Sequence, residues 1–259
     1  MRLLNHFLCL TLATNFGAAF AATIGTTTGS DFTTASWTNS SSTSYGTFYQ
    51  VANPGSSFAI GDSSQGGRTS IGSKAFNLIP GSYTNTGFLG YAQTYYVLSG
   101  GALSVGQTLS FDINFLFSNG TKGFTLEKAG GGANSDLFTV RQDWGDSIQA
   151  LKGGLVGTNN IVSNGFQKAL RLEATQQAES IQLNIKDGGT SIFSQTFLTT
   201  DTIGQIQFFA GNIDPTQEGD RDSQSIFFNN ISVIPEPSAL SLLTIGSLGL
   251  LVLRRRLKA

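Results

Sequence analysis

Four carboxylates, Asp214, Glu218, Asp220 and Asp222, crowd the stretch "NIDPTQEGDRD", which Pro215 and Gly219 bend. Oxygen ligands on a bent loop suit a hard cation such as Ca2+, although the spacing is not that of an EF-hand loop. The same acids read as a solvated loop that repels other chains. Glu218, Asp220 and Asp222 also alternate as one strand face would hold them, and glycoside hydrolysis needs a carboxyl pair. No tryptophan stands near them to line a sugar cleft. Aromatic residues gather elsewhere: Trp144 lies beside Asp143 and Asp146 in "RQDWGDS", and Tyr91, Tyr95 and Tyr96 share "GYAQTYY". A sugar packs its apolar face on a ring while acids and amides bond its hydroxyls. Trp144, Tyr95 and Tyr96 are therefore candidate ligand contacts, and filling a core is their other use. The glycine-rich "KAGGGANSD" lacks the lysine and helix of a phosphate loop and reads as a flexible connection.

Other chemistries are excluded by composition. The single cysteine, Cys9, and the single histidine, His6, both fall in the first ten residues, inside a segment that reads as removable. Without thiol or imidazole the remaining chain has no disulfide, no thiolate nucleophile, no Ser-His-Asp triad and no zinc site built on those ligands. Carboxylate chemistry, calcium, or binding without reaction is what remains. The sequence expects no organic cofactor.

The removable segment is "MRLLNHFLCLTLATNFGAAFAA". Arg2, the apolar run from Phe7, and small residues at Ala19 and Ala21 describe a signal peptide over residues 1–21, cut before Ala22. At the other end, Ser238 to Leu253 carries no charge and would span about 24 Å as a helix, just short of a hydrocarbon core of about 30 Å. Arg254, Arg255, Arg256 and Lys258 follow, and such charge is retained on the cytoplasmic side. Pro235 and Pro237 flank Glu236 and keep that backbone extended and open to a protease.

The tripeptide Pro235-Glu236-Pro237, the apolar stretch and the Arg254-Arg255-Arg256 cluster, in that order, resemble the sorting tail of PEP-CTERM exported proteins. The resemblance covers residues 235–259. It implies a transient anchor in the inner membrane of a Gram-negative bacterium and recognition by an exosortase-type processing enzyme. It also implies a cut near the Pro-Glu-Pro and release toward the cell surface or an exopolysaccharide matrix.

With both ends removed, ten cations face sixteen acids if Glu236 is counted, a net charge of about −6, which argues against a nucleic-acid partner. Charged residues are sparse, phenylalanine and small polar residues abundant, a composition for strands and turns. Residues 22–45 form a Ser/Thr-rich lead-in with widely spaced apolar residues, an edge strand or a mobile segment. Residues 46–234 form the folded domain.

In "QTLSFDINFLF", Leu109, Phe111, Ile113, Phe115 and Phe117 alternate with polar residues, giving one buried and one wet face. Asn119-Gly120 then predicts a hairpin into "GFTLEK". Residues 180–198 form a second hairpin around "DGG". Ile206, Phe208 and Ala210 mark a further strand, and "SIFFNNISVI" closes the series with Phe227, Ile231 and Val233 on one side. Many short strands without intervening helices predict an all-β fold, an antiparallel β-sandwich or jelly roll, with a signal-peptide helix before it and one transmembrane helix after it. The closing "FFNNISV" resembles the corresponding strand of lectin-like, concanavalin-type jelly rolls. Asn229 stands where those have aspartate, so no carboxylate role carries over.

The expected protein is an exported, non-enzymatic surface or matrix module that contacts carbohydrate. The alternatives are a carboxylate-dependent glycoside hydrolase and a purely structural matrix component.

Overall fold

A computed structural model describes residues 25–52, 55–64, 69–81, 90–115, 120–131, 135–143, 147–152, 155–162, 168–211 and 225–235. In chain order the strands are β1 (Gly25–Thr27), β2 (Gly46–Ala52), β3 (Ser57–Gly61), β4 (Ala75–Ile79), β5 (Tyr91–Leu98), β6 (Thr108–Phe115), β7 (Thr121–Lys128) and β8 (Asp136–Asp143). They continue as β9 (Ile148–Lys152), β10 (Leu155–Val162), β11 (Ala169–Gln176), β12 (Ser180–Asp187), β13 (Thr190–Leu198), β14 (Ile203–Gly211) and β15 (Ile226–Ile234). One sheet runs β13-β12-β11-β6-β15-β4-β3, with β1 added on β15; the other runs β10-β9-β8-β7-β14-β5-β2. The described pairings are antiparallel, and the all-β sandwich is the architecture expected.

Period two decides which side chains meet between the sheets. From β5 come Ala92, Tyr96 and Leu98, from β14 Ile206, Phe208 and Ala210, and from β6 Leu109, Phe111, Ile113 and Phe115, all inside one hydrophobic core. Phe208 and Phe228 stack across the two sheets at 3.8 Å between ring centroids. Phe111 meets Phe124 edge-on at 4.9 Å and Phe208 at 5.1 Å. Burying one such ring contributes about 1.5–3 kcal/mol, so this aromatic seam joins the sheets.

The hairpin over residues 180–198 forms as expected, with Asp187 paired to Thr190 across Gly188 and Gly189. Both glycines have positive φ, 55° and 89°, as a tight turn matched to strand twist requires. The other expected hairpin does not form. β6 lies between β11 and β15 in one sheet, while β7 lies between β14 and β8 in the other. Alternation reports that a strand has one buried face and is silent on its partner, and here Phe111 and Phe124 point at each other across the core. Asn119 of the expected turn lies outside the described residues.

The closing strand also differs. Ile226 and Phe228 face the core, and so do Ile231 and Val233, while Phe227 is buried outside the core cluster. A bulge between Asn229 and Ser232, with Asn230 at φ 53°, inserts one residue and reverses the parity.

The lead-in is built into the body. β1 pairs Gly25 with Val233 and Thr27 with Ile231. Trp37 is 2% exposed and packs against Phe76 at 4.8 Å and Phe48 at 5.7 Å. Gly29 donates its backbone N–H to Asn229 Oδ1 at 2.9 Å, and Asn229 Nδ2 donates to the carbonyls of Ile71 and Lys74 at 3.1 and 3.2 Å. Among the described residues no helix is long and apolar enough to cross a membrane. The signal peptide with Ala19, Ala21 and Ala22, and the apolar stretch from Ser238, lie outside the described residues.

Candidate functional site

The outward face of the second sheet gathers polar and aromatic side chains in register. On β5 the alternation that buries Tyr96 turns Tyr91, Gln93, Tyr95 and Val97 outward; on β14 it turns out Gln205, Gln207 and Phe209. Pairing then lines them up across strands. Tyr49, Tyr95, Gln207, Thr125 and Thr139 make one row over five strands. Val51, Gln93, Phe209, Gly123 and Arg141 make the next. Neighbouring strands lie about 4.8 Å apart, so each row is contiguous, with Tyr49, Tyr95 and Gln207 at least partly open to solvent and Thr125, Thr139 and Gly123 buried.

Tyr49, Tyr95, Val97, Glu127, Ser135, Asp136, Gln205 and Gln207 line a broad depression of about 660 Å3 on this face. Hydrogen bonds hold its side chains in place. Gln207 Nε2 donates to Gln93 Oε1 at 2.6 Å and to the Tyr95 hydroxyl at 3.1 Å. Tyr91 donates its hydroxyl to Gln93 as well. Glu127 Oε2 accepts from Gln205 Nε2 and, at 3.2 Å, from the Ser135 hydroxyl.

Burial disfavours charge on this face. It raises the Glu127 carboxyl above its ordinary value, with Asp136 adding to the rise and the bonds from Gln205 and Ser135 opposing it. Burial also pushes the Tyr91 hydroxyl up to about 12, helped by Tyr95 and Glu127. Tyr95 rises for the same reason, with Glu127 contributing. The two phenols are thus neutral donors at physiological pH.

At the far end of the second row, Arg141 pairs with Asp143 at 3.2 Å, and Asp143 also accepts from Thr121 at 2.7 Å. Gly123, which is buried, stands between Phe209 and Arg141. A Cβ there would come within 2.0 Å of the Val140 carbonyl oxygen, so the close approach of β7 and β8 requires glycine.

The aromatic residues singled out in the sequence part company. Tyr95 belongs to the depression. Tyr96 is 1% exposed, points into the core, and bonds Thr27 at 2.7 Å and Thr43 at 3.3 Å through its hydroxyl. A ring so covered has no face for a sugar. Consecutive residues of a strand point to opposite faces, which separates the two tyrosines. Trp144 and the acids Asp214, Glu218, Asp220 and Asp222 lie outside the described residues. Among the described residues no group of three or more acids, histidines or cysteines could hold a metal ion.

Sequence reasoning missed Glu127, Gln93, Gln205, Gln207 and Tyr49. Their trace was the shared parity of Gln205 and Gln207, and of Tyr91, Gln93 and Tyr95, large polar groups on the wet side of strands. Which strands stand side by side is a tertiary matter, so the trace did not identify a site.

The class defined by these observations is an antiparallel β-sandwich with one polar, aromatic-bearing outer face. Residues 233–256 match the PEP-CTERM protein-sorting motif, so the matched stretch begins within the last two residues of β15. Such a signal implies export, handling by an exosortase and transient membrane anchoring in a Gram-negative bacterium. No curated protein sequence matches the chain.

Among solved structures the chain is similar to a sialidase, at 13% identity and a TM-score of 0.48 over 73% of this chain and 17% of that one. It spans less than a fifth of that protein's length. It is also similar to the GH131 β-glucanase catalytic domain from Podospora anserina, at 9% identity and a TM-score of 0.44, covering 78% of this chain and 89% of that one. A third likeness is to the Family 11 carbohydrate-binding module from Clostridium thermocellum, at 14% identity and a TM-score of 0.35, covering 73% and 89%. The sandwich assignment rests on the strand registers above.

Proposed function

We propose that the body is a non-enzymatic carbohydrate-contacting module, delivered to the cell surface or the extracellular matrix once its signal peptide and sorting tail have been removed. An exopolysaccharide chain is its partner, and the outward face of the second sheet is the contact. The observation that carries this reading is the depression in which Tyr49 and Tyr95 stand beside Gln205, Gln207 and Glu127. Tyr49 is 44% exposed, far more than a folding role needs. Rings give a sugar an apolar seat, and amides with one carboxylate meet its hydroxyls. The removal steps assign the signal cut to Ala19, Ala21 and Ala22 and the tail to Pro235, Glu236, Pro237 and Arg254–Arg256. Trp144 and a Ca2+ contact at Asp214, Glu218, Asp220 and Asp222 belong to the same proposal as secondary features.

Glycan-array binding by residues 22–235 tests the reading. Tyr95→Ala is expected to weaken binding by about tenfold, equivalent to ~1.4 kcal/mol. Undiminished binding by Tyr95→Ala and Gln207→Ala together would remove the face from consideration, and loss of binding on calcium chelation would bring the loop acids into it.

A second reading, a glycoside hydrolase, is favoured by one observation: Glu127 and Asp136 are register partners on adjacent strands, and Glu127 has a raised proton affinity. A carboxyl with raised proton affinity beside a second carboxyl is the equipment of such enzymes. Release of reducing ends from a bound polysaccharide, abolished by Glu127→Gln, would select this reading.

A further inference from the structure

We propose that the end of the sandwich from which the sorting tail departs is a contact surface for the membrane enzyme that processes the tail. The proposal rests on the sorting reading above and adds a role for the folded body in its own processing.

The tail has no linker. Val233 and Ile234 are rungs of β15, paired with Gly25 and Thr108, and they stand at the start of the sorting motif or directly beside it. From Ile234 to Ser238, where the uncharged stretch begins, the chain reaches at most ~14 Å at about 3.6 Å per residue. An enzyme that cuts within that reach outside the membrane has the end of the sandwich against it.

That end is built to receive something. Tyr45, Leu98, Leu103, Ser104, Gln107 and Val233 line a cleft of about 210 Å3, and its described lining is uncharged. Beside it stand two exposed apolar side chains, Val105 at 65% and Ile234 at 44%. The loop carrying Val105 is pinned: Leu103 N–H donates to the Ile203 carbonyl at 2.8 Å, Gly106 N–H to the Gln176 carbonyl at 2.8 Å, and Ser104 N–H to Gln107 Oε1 at 2.8 Å. A rigid, uncharged cleft with an apolar rim suits an apolar side chain of a protein partner, and ordering such a loop costs nothing on binding.

The test follows processing of the full chain by pulse-chase in a host that carries the exosortase. Val105→Asp and Tyr45→Ala are expected to slow tail removal by about tenfold, ~1.4 kcal/mol, while the released bodies melt as the wild type does. Thr190→Asp, at the opposite end of the sandwich, is expected to be processed normally. Ten Gly/Ser residues inserted between Ile234 and Pro235 should also slow removal, because they separate the surface from the cut.

Wild-type rates for Val105→Asp and Tyr45→Ala, or faster removal with the linker, would overturn the proposal and leave the body a passive passenger. Binding of the purified body to phosphatidylethanolamine/phosphatidylglycerol vesicles, lost in Val105→Asp, would transfer the surface to lipid and overturn it too. If the wild-type tail is never removed, the sorting reading itself fails, and this inference falls with it.

Discussion

Asn229 shows how much one amide does here. It accepts from Gly29 and donates to two carbonyls, tying the N-terminal segment and the segment before β4 to the closing strand. An aspartate could keep the first bond but would set a charge against two carbonyl oxygens in a nearly closed site. Asn229→Asp is therefore expected to destabilise the body by about 3 kcal/mol, measured by chemical denaturation, and a midpoint equal to wild type would refute it. Glu127 makes a pH prediction. Its raised proton affinity means the native state holds the proton to higher pH than the unfolded chain does. Its contribution is complete at acid pH and is lost as pH rises from the ordinary carboxylate range through the raised native value. Glu127→Gln should flatten that decline in denaturation midpoints as pH rises above the ordinary carboxylate range; an unchanged slope would assign the decline elsewhere.

At the scale of strands, parity decides function. β5 sends Tyr96 inward to Thr27 and Thr43 and Tyr95 outward to Gln207, so two adjacent tyrosines hold the core and the candidate site respectively. Gly123 lets β7 and β8 approach. Gly123→Ala is expected to cost about 3 kcal/mol and to disturb the row from Phe209 to Arg141; full stability with intact glycan binding would show that the strands can part. β1 is three residues long yet fastens the strand that leads to the sorting signal. Deleting residues 25–29 removes its ladder and the Gly29 bond to Asn229. A loss of about 3 kcal/mol follows at about 1 kcal/mol per hydrogen bond, and an unaltered melting curve would make the segment ornamental.

For the molecule as a whole, rings from both sheets meet within a core that aliphatic side chains complete. Phe208 and Phe228 lie 3.8 Å apart with planes 4° from parallel. Phe208→Ala is expected to cost about 3–5 kcal/mol, seen in thermal unfolding. A loss below 1 kcal/mol would mean that the seam repacks. The last described strand is an interior strand of its sheet, flanked by β6 on one side and by β4 and β1 on the other. A cut near Glu236 would leave that strand whole, and a body released by it is expected to keep its fold.

Several features were legible in the chain alone because they depend on local covalent and periodic properties. The lack of thiol and imidazole beyond Cys9, the alternation of β6, the 180–198 hairpin and the Pro-Glu-Pro tail can each be recognised without knowing the fold. Strand partnership is different, since one-sided burial is satisfied by any apolar partner surface; hence β6 and β7 were expected side by side and face each other across the core instead. The bulge at Asn229–Ser232 reversed a parity that sequence counting assumed constant. The depression around Glu127 combines β2, β5, β7, β14 and the start of β8. Those residues lie far apart in the chain, and only the folded sheet brings them onto one face.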